Sequence, residues 1–419
     1  MTSPARSFTP ALFVYSLFLI VPVVIGVLVA PTALRAQGLP VPPNGQTLSP
    51  TDEESFPHPG DASATLFFGA AVTVHERHLL VGIPEYGVEG LPLGSPTGRV
   101  AVFTLSRGNQ WLRSASLDPP VGTAVRNFGE RVALGKRFAL VGSDSGVDVF
   151  RRAGETWTRV MRLVSTSSQR YDGGLAVADR SLLVGVSLDD QPGAVDVLAP
   201  DSGGHLHRVQ RLRATLPSVG DVFGLQLATS QGTLVVGASG YRDGEGAAFV
   251  YKQSGTSWVP AAQLSASEHI AGWGFGDAVA VDGDRIAIGS PGAHPRDSQG
   301  QCEFQPSGAV YVFARHGSHW VQTVELMSAD PCTSEFAVNV ATNHDYVAAD
   351  APAFFRAQAS AIEVFKRAEG TYERKYDVSR GEGATPPIAL SDTWLLIGFP
   401  FAAQFDPGSA VVFDLASAP

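Results

Sequence analysis

At 419 residues with 44% hydrophobic side chains, the chain can bury a large core, as one large domain or two to three ordinary ones. Its 45 glycines and 29 prolines exceed average usage and charged residues make up only 17%, the balance of an all-β protein with many turns and no evident long amphipathic helices. A formal net charge of -10, with no Lys/Arg-rich run, excludes nucleic acid as an expected partner.

The chain opens with an almost wholly apolar stretch over 11–30, preceded by Arg6 and ending at Ala33-Leu34-Arg35-Ala36. It reads as a secretory signal over 1–36, cleaved near Ala36. An uncleaved anchor is the alternative, since the run approaches the roughly 20 residues that span a bilayer, and it would be the one route to the membrane. Pro22 and the small-residue exit favour cleavage, and no Cys stands near the exit for lipid modification. The expected location is secreted, periplasmic or cell-surface. Residues 37–45 form an extended, Pro-rich lead-in.

From there the chain repeats itself. First strands open at Phe68-Gly69, Phe128-Gly129, Tyr171-Asp172, Phe223-Gly224, Phe275-Gly276, Phe336-Ala337 and, without the aromatic, near Pro387-Ile388. Second strands close in step, as in Val81-Gly82-Ile83-Pro84 and Ile288-Gly289-Ser290-Pro291, with Ala349 taking the Gly position in the sixth repeat. Third strands follow at 98–103, 146–150, 193–198, 246–251, 308–313, 361–365 and 408–413. A fourth strand opens on Trp111, Trp157, His207, Trp258, Trp320 or Tyr372 in the first six repeats only. The seventh repeat ends one strand short, while Gln46-Thr47-Leu48-Ser49-Pro50 has the texture of the fourth-strand ending Gln263-Leu264-Ser265. A ring closed by an amino-terminal strand at about 46–50 explains both. A four-stranded meander cannot cover both its faces alone, whereas radial packing covers each with a neighbouring blade.

The aromatic-Gly openings, the Gly-Ala-Pro-like second-strand endings and third strands such as Gly308-Ala309-Val310-Tyr311-Val312-Phe313 resemble FG-GAP repeats. The resemblance covers about 46–415 and implies the seven-bladed, integrin α-like β-propeller found also in bacterial secreted proteins. The expected organisation is a propeller over 46–419, with blades starting near 68, 128, 171, 223, 275, 336 and 387. The family's calcium loop between first and second strands is missing, because those segments are short hairpins. Asp282-Gly283-Asp284 comes nearest and reads as an ordinary tight turn.

Few residues point to chemistry. His205 and His207 share a strand face with no carboxylate at close spacing, and a solvated outer edge is the better reading. Asp148, Asp196 and Glu363 share a third-strand column, where they either mark an acid–base site or bond to backbone or arginine next door. Gly272-Trp273-Gly274-Phe275-Gly276 enters a strand rather than a helix and is a blade junction. No metal site, cofactor or catalytic residue is expected. Cys302 and Cys332 fall on one face near one blade and are expected to form a disulfide in an oxidising compartment.

That same face carries the longest and most variable loops. Tyr86, Tyr241, Arg242, Trp273, His294, Arg296, Phe354, Phe355 and Arg356 give it an aromatic and cationic character suited to protein or glycan contacts. A non-enzymatic binding or adhesion module is therefore the leading expectation. A propeller enzyme acting on polysaccharide as a lyase or hydrolase, with channel carboxylates, is the alternative.

Overall fold

The computed structural model describes residues 41–42, 44–50, 65–86, 97–121, 123, 125–268, 270–294, 307–329, 335–352, 361–379, 385–400 and 408–416. The expected signal over 1–36 lies outside them. Seven antiparallel sheets are arranged as blades. Blade one is Ala71–His75, His78–Ile83, Arg99–Leu105 and Trp111–Leu117, and blade two is Arg131–Leu134, Phe138–Ser143, Gly146–Ala153 and Thr156–Val164. Blade three is Leu175–Val177, Leu182–Leu188, Gln191–Pro200 and Leu206–Leu212, with Gln169–Arg170 added along its second strand. Blade four is Leu227–Ser230, Thr233–Ala238, Ala247–Ser254 and Ser257–Leu264. Blade five is Ala278–Asp282, Arg285–Ser290, Ala309–His316 and His319–Leu326, and blade six is Val340–Thr342, Tyr346–Ala351, Ala361–Ala368 and Thr371–Ser379.

Blade seven joins Ile388–Leu390, Trp394–Phe399 and Ser409–Asp414 to the amino-terminal strand Gln46–Leu48, with Gln46 opposite Val412 and Leu48 opposite Ala410. This is the closure that the missing last strand implied, with its phase shifted by one residue. Gln46 shares the column of Gln210 and Ala262 rather than that of Gln263. The shift has a physical reason: Gln46 Nε2 donates to Trp111 O at 2.7 Å and Trp111 N to Gln46 Oε1 at 2.8 Å. Gln210 grips Trp258 of the following blade in the same way, at 2.9 and 2.8 Å.

Burial follows strand position. Second strands such as Thr233–Ala238 are buried at every residue because blades cover both their faces, and they read as continuous apolar runs. Fourth strands such as Trp111–Leu117 alternate, burying their ends and exposing polar residues along the rim. A bulge breaks the pairing of third and fourth strands at one equivalent site in each of blades one to six, for example between Val312 and Phe313. The extra residue there increases local twist.

The Phe-Gly openings are joints between blades. Phe68, Phe128, Phe275 and Phe336 are fully buried. Each bridges the residue that opens the preceding blade's third strand, Gly408, Gly98, Gly246 and Gly308 respectively, so Phe68 and Gly408 close the ring. A Cβ on Gly237 would lie 2.1 Å from Gly276 O, and one on Gly276 would lie 2.4 Å from Ala247 O at a φ of +94°. Only glycine lets these backbones approach so closely. In blade six the register corrects the sequence alignment: Ala337 N donates to Asp350 O, as Gly276 N does to Gly289 O, so Asp350 and not Ala349 fills the glycine column.

Candidate functional site

In blades one to six the two hairpins leave one end of the strands, while the second-to-third connections and the linkers to the next blade leave the other, as antiparallel pairing requires; blade seven, closed by the amino-terminal strand, has one hairpin. The hairpin end is short and polar. Asp282 pairs with Arg285 across a two-residue turn, Gly283 takes a φ of 55°, and Ser230 of blade four donates to Asp282 Oδ1 at 3.0 Å. That is a structural turn rather than a cation loop. Among the described residues, no group of three or more His, Cys, Asp or Glu is placed to hold a metal ion. His205 and His207 lie exposed on the outer edge. A carboxylate does accompany them, since the turn brings Asp201 Oδ1 within 3.6 Å of His205 Nδ1.

The buried carboxylates are each claimed within or beside their own blade. Asp148 accepts from Arg162 at 2.7 Å, with Arg159 3.8 Å away. Asp196 accepts from Arg211 at 2.6 and 2.8 Å and from Arg208 at 3.3 Å. Glu363 accepts from Ser328 Oγ at 2.6 Å and Ala329 N at 3.2 Å, and Arg374 stands 3.6 Å away. Burial raises the pKa of Asp148 and Glu363, and the neighbouring arginines oppose it. These are acids held by arginine or backbone donors on separate blades, the second of the two readings offered by their spacing, although Asp148 Oδ1 has no hydrogen-bond partner among the described residues.

The chemistry concentrates on the loop face where blade four meets blade five. Tyr241 is a buried anchor: its hydroxyl donates to Thr215 O at 3.1 Å and its ring meets Phe249 edge-on at 5.4 Å. That anchor displays Arg242, exposed with its guanidinium 5.5 Å from the Tyr241 ring centroid. Gly244 O accepts from Gly272 N at 3.0 Å and Gly274 N at 3.1 Å, tying this turn to the linker that carries Trp273. Trp273 O in turn accepts from Ser290 Oγ at 2.8 Å and Gly292 N at 3.1 Å.

Trp273 is 4% exposed, and its indole lies against the His294 imidazole with centroids 5.1 Å apart. His294 Nε2 is hydrogen-bonded to Glu325 Oε1, which fixes the ring. Glu325 sits opposite Tyr311 in the blade-five ladder, and burial first, then Glu325, pushes the Tyr311 phenol up. Trp273 Nε1 is buried with no hydrogen-bond partner among the described residues. Arg242, Asp243 and His294 all hold positive φ, at 51°, 59° and 54°, a conformation that costs a non-glycine residue about 1–2 kcal/mol.

Trp273 and His294 are thus brought into contact, while Arg242, stacked near Tyr241, stands on the turn that Gly244 O ties to the Trp273 linker. Tyr86 lies on the short strand Glu85–Tyr86, paired with Thr65–Leu66. Arg296, Phe354, Phe355, Arg356 and the cysteines Cys302 and Cys332 lie outside the described residues. Sequence reasoning missed Glu325. Its one signal was its place on the fourth strand opposite Tyr311, which needs the register with its bulge.

An FG-GAP repeat family description matches residues 207–251 and 258–313, each span running from the fourth strand of one blade to the third strand of the next. The chain carries FG-GAP repeats in a seven-bladed propeller. No curated protein matches it. Among solved structures, a candidate 6-phosphogluconolactonase of Bacteroides fragilis aligns at 10% identity and a TM-score of 0.48, over 74% of this chain and 84% of its own. Hsv2 of Kluyveromyces marxianus aligns at 12% and 0.47, over 81% and 90%. Hsv2 of Kluyveromyces lactis aligns at 11% and 0.45, over 81% and 91%. At these values the likenesses carry no argument about activity or ligand.

Proposed function

We propose that this FG-GAP-repeat propeller is a secreted, periplasmic or cell-surface binding module that presents its loop face to a protein or carbohydrate ligand, without catalysis. The observation that carries the reading is the junction of blades four and five. There an imidazole oriented by Glu325 lies against a buried indole whose N–H has no partner among the described residues, and the turn tied to that linker displays the Arg242 cation. Strained, non-repeating loops on a repeating scaffold are where such sites collect. Reading the buried carboxylates as catalytic is weaker, because arginines or backbone donors already hold them.

Probing glycan arrays and cell-surface protein extracts with the purified protein tests this. Arg242→Ala and His294→Ala are each expected to weaken capture about tenfold, the effect of losing a binding hot spot, while leaving the melting temperature unchanged. Polysaccharide turnover with no captured ligand would overturn the proposal. Sequencing the mature amino terminus tests the location, with a start near residue 37 expected.

A further inference from the structure

One sector of the loop face exposes apolar side chains in a group. The linker from blade three to blade four holds Leu216 at 81% exposure, Val219 at 65%, Val222 at 40% and Leu225 at 41%. It overhangs a cleft of about 250 Å³ lined by Val186, Leu188, Gln191, Val219, Val222 and Phe223, among others. No hairpin turn among the described residues carries an exposed large apolar side chain. Isolated exposed valines are ordinary, whereas a cluster at the mouth of a cleft marks an interaction surface.

The conformation of the linker argues that these side chains serve something other than the fold. The residue before the opening Phe takes a positive φ at four of the five Phe openings, 55° at Asn127, 57° at Val222, 64° at Gly274 and 57° at Glu335. Asn and Gly suit that column, and a β-branched Val is a poor choice there. Leu216 holds a φ of 54° while almost fully in water. The backbone is nonetheless pinned, with Ser218 N donating to Asp221 Oδ2 at 2.5 Å and Gly240 N to Asp221 O at 3.2 Å. The apolar side chains are therefore held out rather than frayed.

Charge identifies the occupant. Asp189 and Asp190 lie between the lining residues Leu188 and Gln191, and Asp172 adjoins the lining residue Gly173. Three carboxylates thus flank the blade-three lining, with Arg170 meeting Asp172 at 3.0 Å and Asp189 at 3.5 Å, and a second guanidinium, Arg131, bonded to Gly173 O at 2.6 Å and paired with Glu130 at 3.1 Å. Burial works against ionisation of Asp172, but hydrogen bonds from Ser187 and Arg170 hold its pKa below the usual carboxylate value. With -10 on the whole chain, a second copy is repelled and a basic partner attracted.

We propose that the cleft between blades three and four docks an extended polypeptide segment of a partner protein, an apolar side chain entering the cleft and a flanking Lys or Arg meeting Asp189 and Asp190. The proposal rests on the binding-module reading and assigns it a protein partner at a second sector of the same face.

The test uses the whole protein and three labelled heptapeptides: two leucines flanked by two arginines, the same with glutamates for arginines, and the same with alanines for leucines. Fluorescence anisotropy is expected to show saturable binding of the first, at least tenfold tighter than either control. Leu216→Ser with Val219→Ser should weaken it about tenfold, and Asp189→Asn with Asp190→Asn should both weaken it and flatten its salt dependence. Equal affinity for all three peptides, or loss of binding in Arg242→Ala with none in the cleft variants, would overturn this inference and leave the binding-module reading standing. So would concentration-dependent dimerisation abolished by the two serine substitutions, which would assign the patch to a second copy. Loss of every ligand, glycan and peptide alike, would sink both.

Discussion

Between blades four and five, Gly237 stands against Gly276 so closely that a methyl group on either would run into a carbonyl oxygen. Between blades six and seven the column that holds Gly237 holds Asp350 instead, and in blade seven the register sets Pro387-Ile388 in the columns of Gln226 and Leu227, just past the Phe-Gly pair to which the sequence pattern assigns them. Asp350 is fully buried and accepts from Asn339 N at 2.7 Å and Asn339 Nδ2 at 2.9 Å, with no cation among its hydrogen-bond partners. One joint is made by removing side chains and the other by burying a polar one. The repeat motif is thus a packing device, and where a blade lacks it the fold substitutes a group with its own pH dependence.

The irregular end of the ring is also where the borrowed strand sits, and removing that strand is expected to have the largest effect. Deleting residues 46–50 strips Leu48 from a cluster with Trp111 and Trp394, three ladder pairs, and both bonds between Gln46 and Trp111. Burial and hydrogen bonding outweigh the ordering cost of so short a strand by about 5 kcal/mol. Denaturant unfolding should show the loss as a lower midpoint. An unchanged melting temperature would falsify the closure.

Asp350 comes next. Burial raises its pKa to about 7, against the hydrogen bonds from Asn339. A carboxyl whose folded pKa lies above its unfolded value destabilises the fold when ionised. The penalty is absent below the unfolded pKa, near 4, grows as pH rises to about 7 and is constant above. It amounts to at most roughly 4 kcal/mol. Asp350→Asn should therefore be more stable than the native chain at pH 8 and converge with it by pH 4. His75 and His78, held low by burial, act in the opposite sense on acidification, so the difference between the two proteins is the quantity to follow. A difference that does not change with pH would show that Asp350 titrates normally.

The ring itself was legible in the sequence because each blade repeats one solution to one packing problem, and seven copies in register outweigh any ambiguous strand. Register was not legible at single-residue resolution. The fourth-strand bulges shift pairing by one residue and only blade four, with Pro260 beside its bulge, announces one, and Ala349 stood in for Asp350 because an Ala run hides its phase. At the candidate site the sequence reached Arg242, Trp273 and His294 as odd residues in long loops. It could not show that Tyr241 and Trp273 point inward, nor that Glu325 reaches His294 from a strand 31 positions away. Those contacts depend on how neighbouring linkers are tied together, through Gly244 and Trp273 O, and not on any local pattern.

At the regular joint, Gly276→Ala is expected to cost about 3 kcal/mol, combining left-handed strain with overlap against Ala247 O, and thermal unfolding should register it as a fall of several degrees.

The reverse change at the next joint, Ala337→Gly between blades five and six, gives the smallest effect and the sharpest comparison. Ala337 holds the same column with a φ of 72°, against 94° at Gly276, and is fully buried. Replacing it with glycine relieves about 1–2 kcal/mol of left-handed strain. It also loses about 0.8 kcal/mol of methyl burial, and freeing the unfolded backbone costs about 0.5–1 kcal/mol. These nearly cancel, so Ala337→Gly should shift stability by less than about 1 kcal/mol. If backbone conformation alone dictated glycine in this column, the two substitutions would be mirror images of about equal size. If close approach of a neighbouring carbonyl dictates it, the change at 276 will be several times larger than the one at 337. Paired chemical denaturation of the two variants decides between them, and equal and opposite shifts would refute the packing account of the joint.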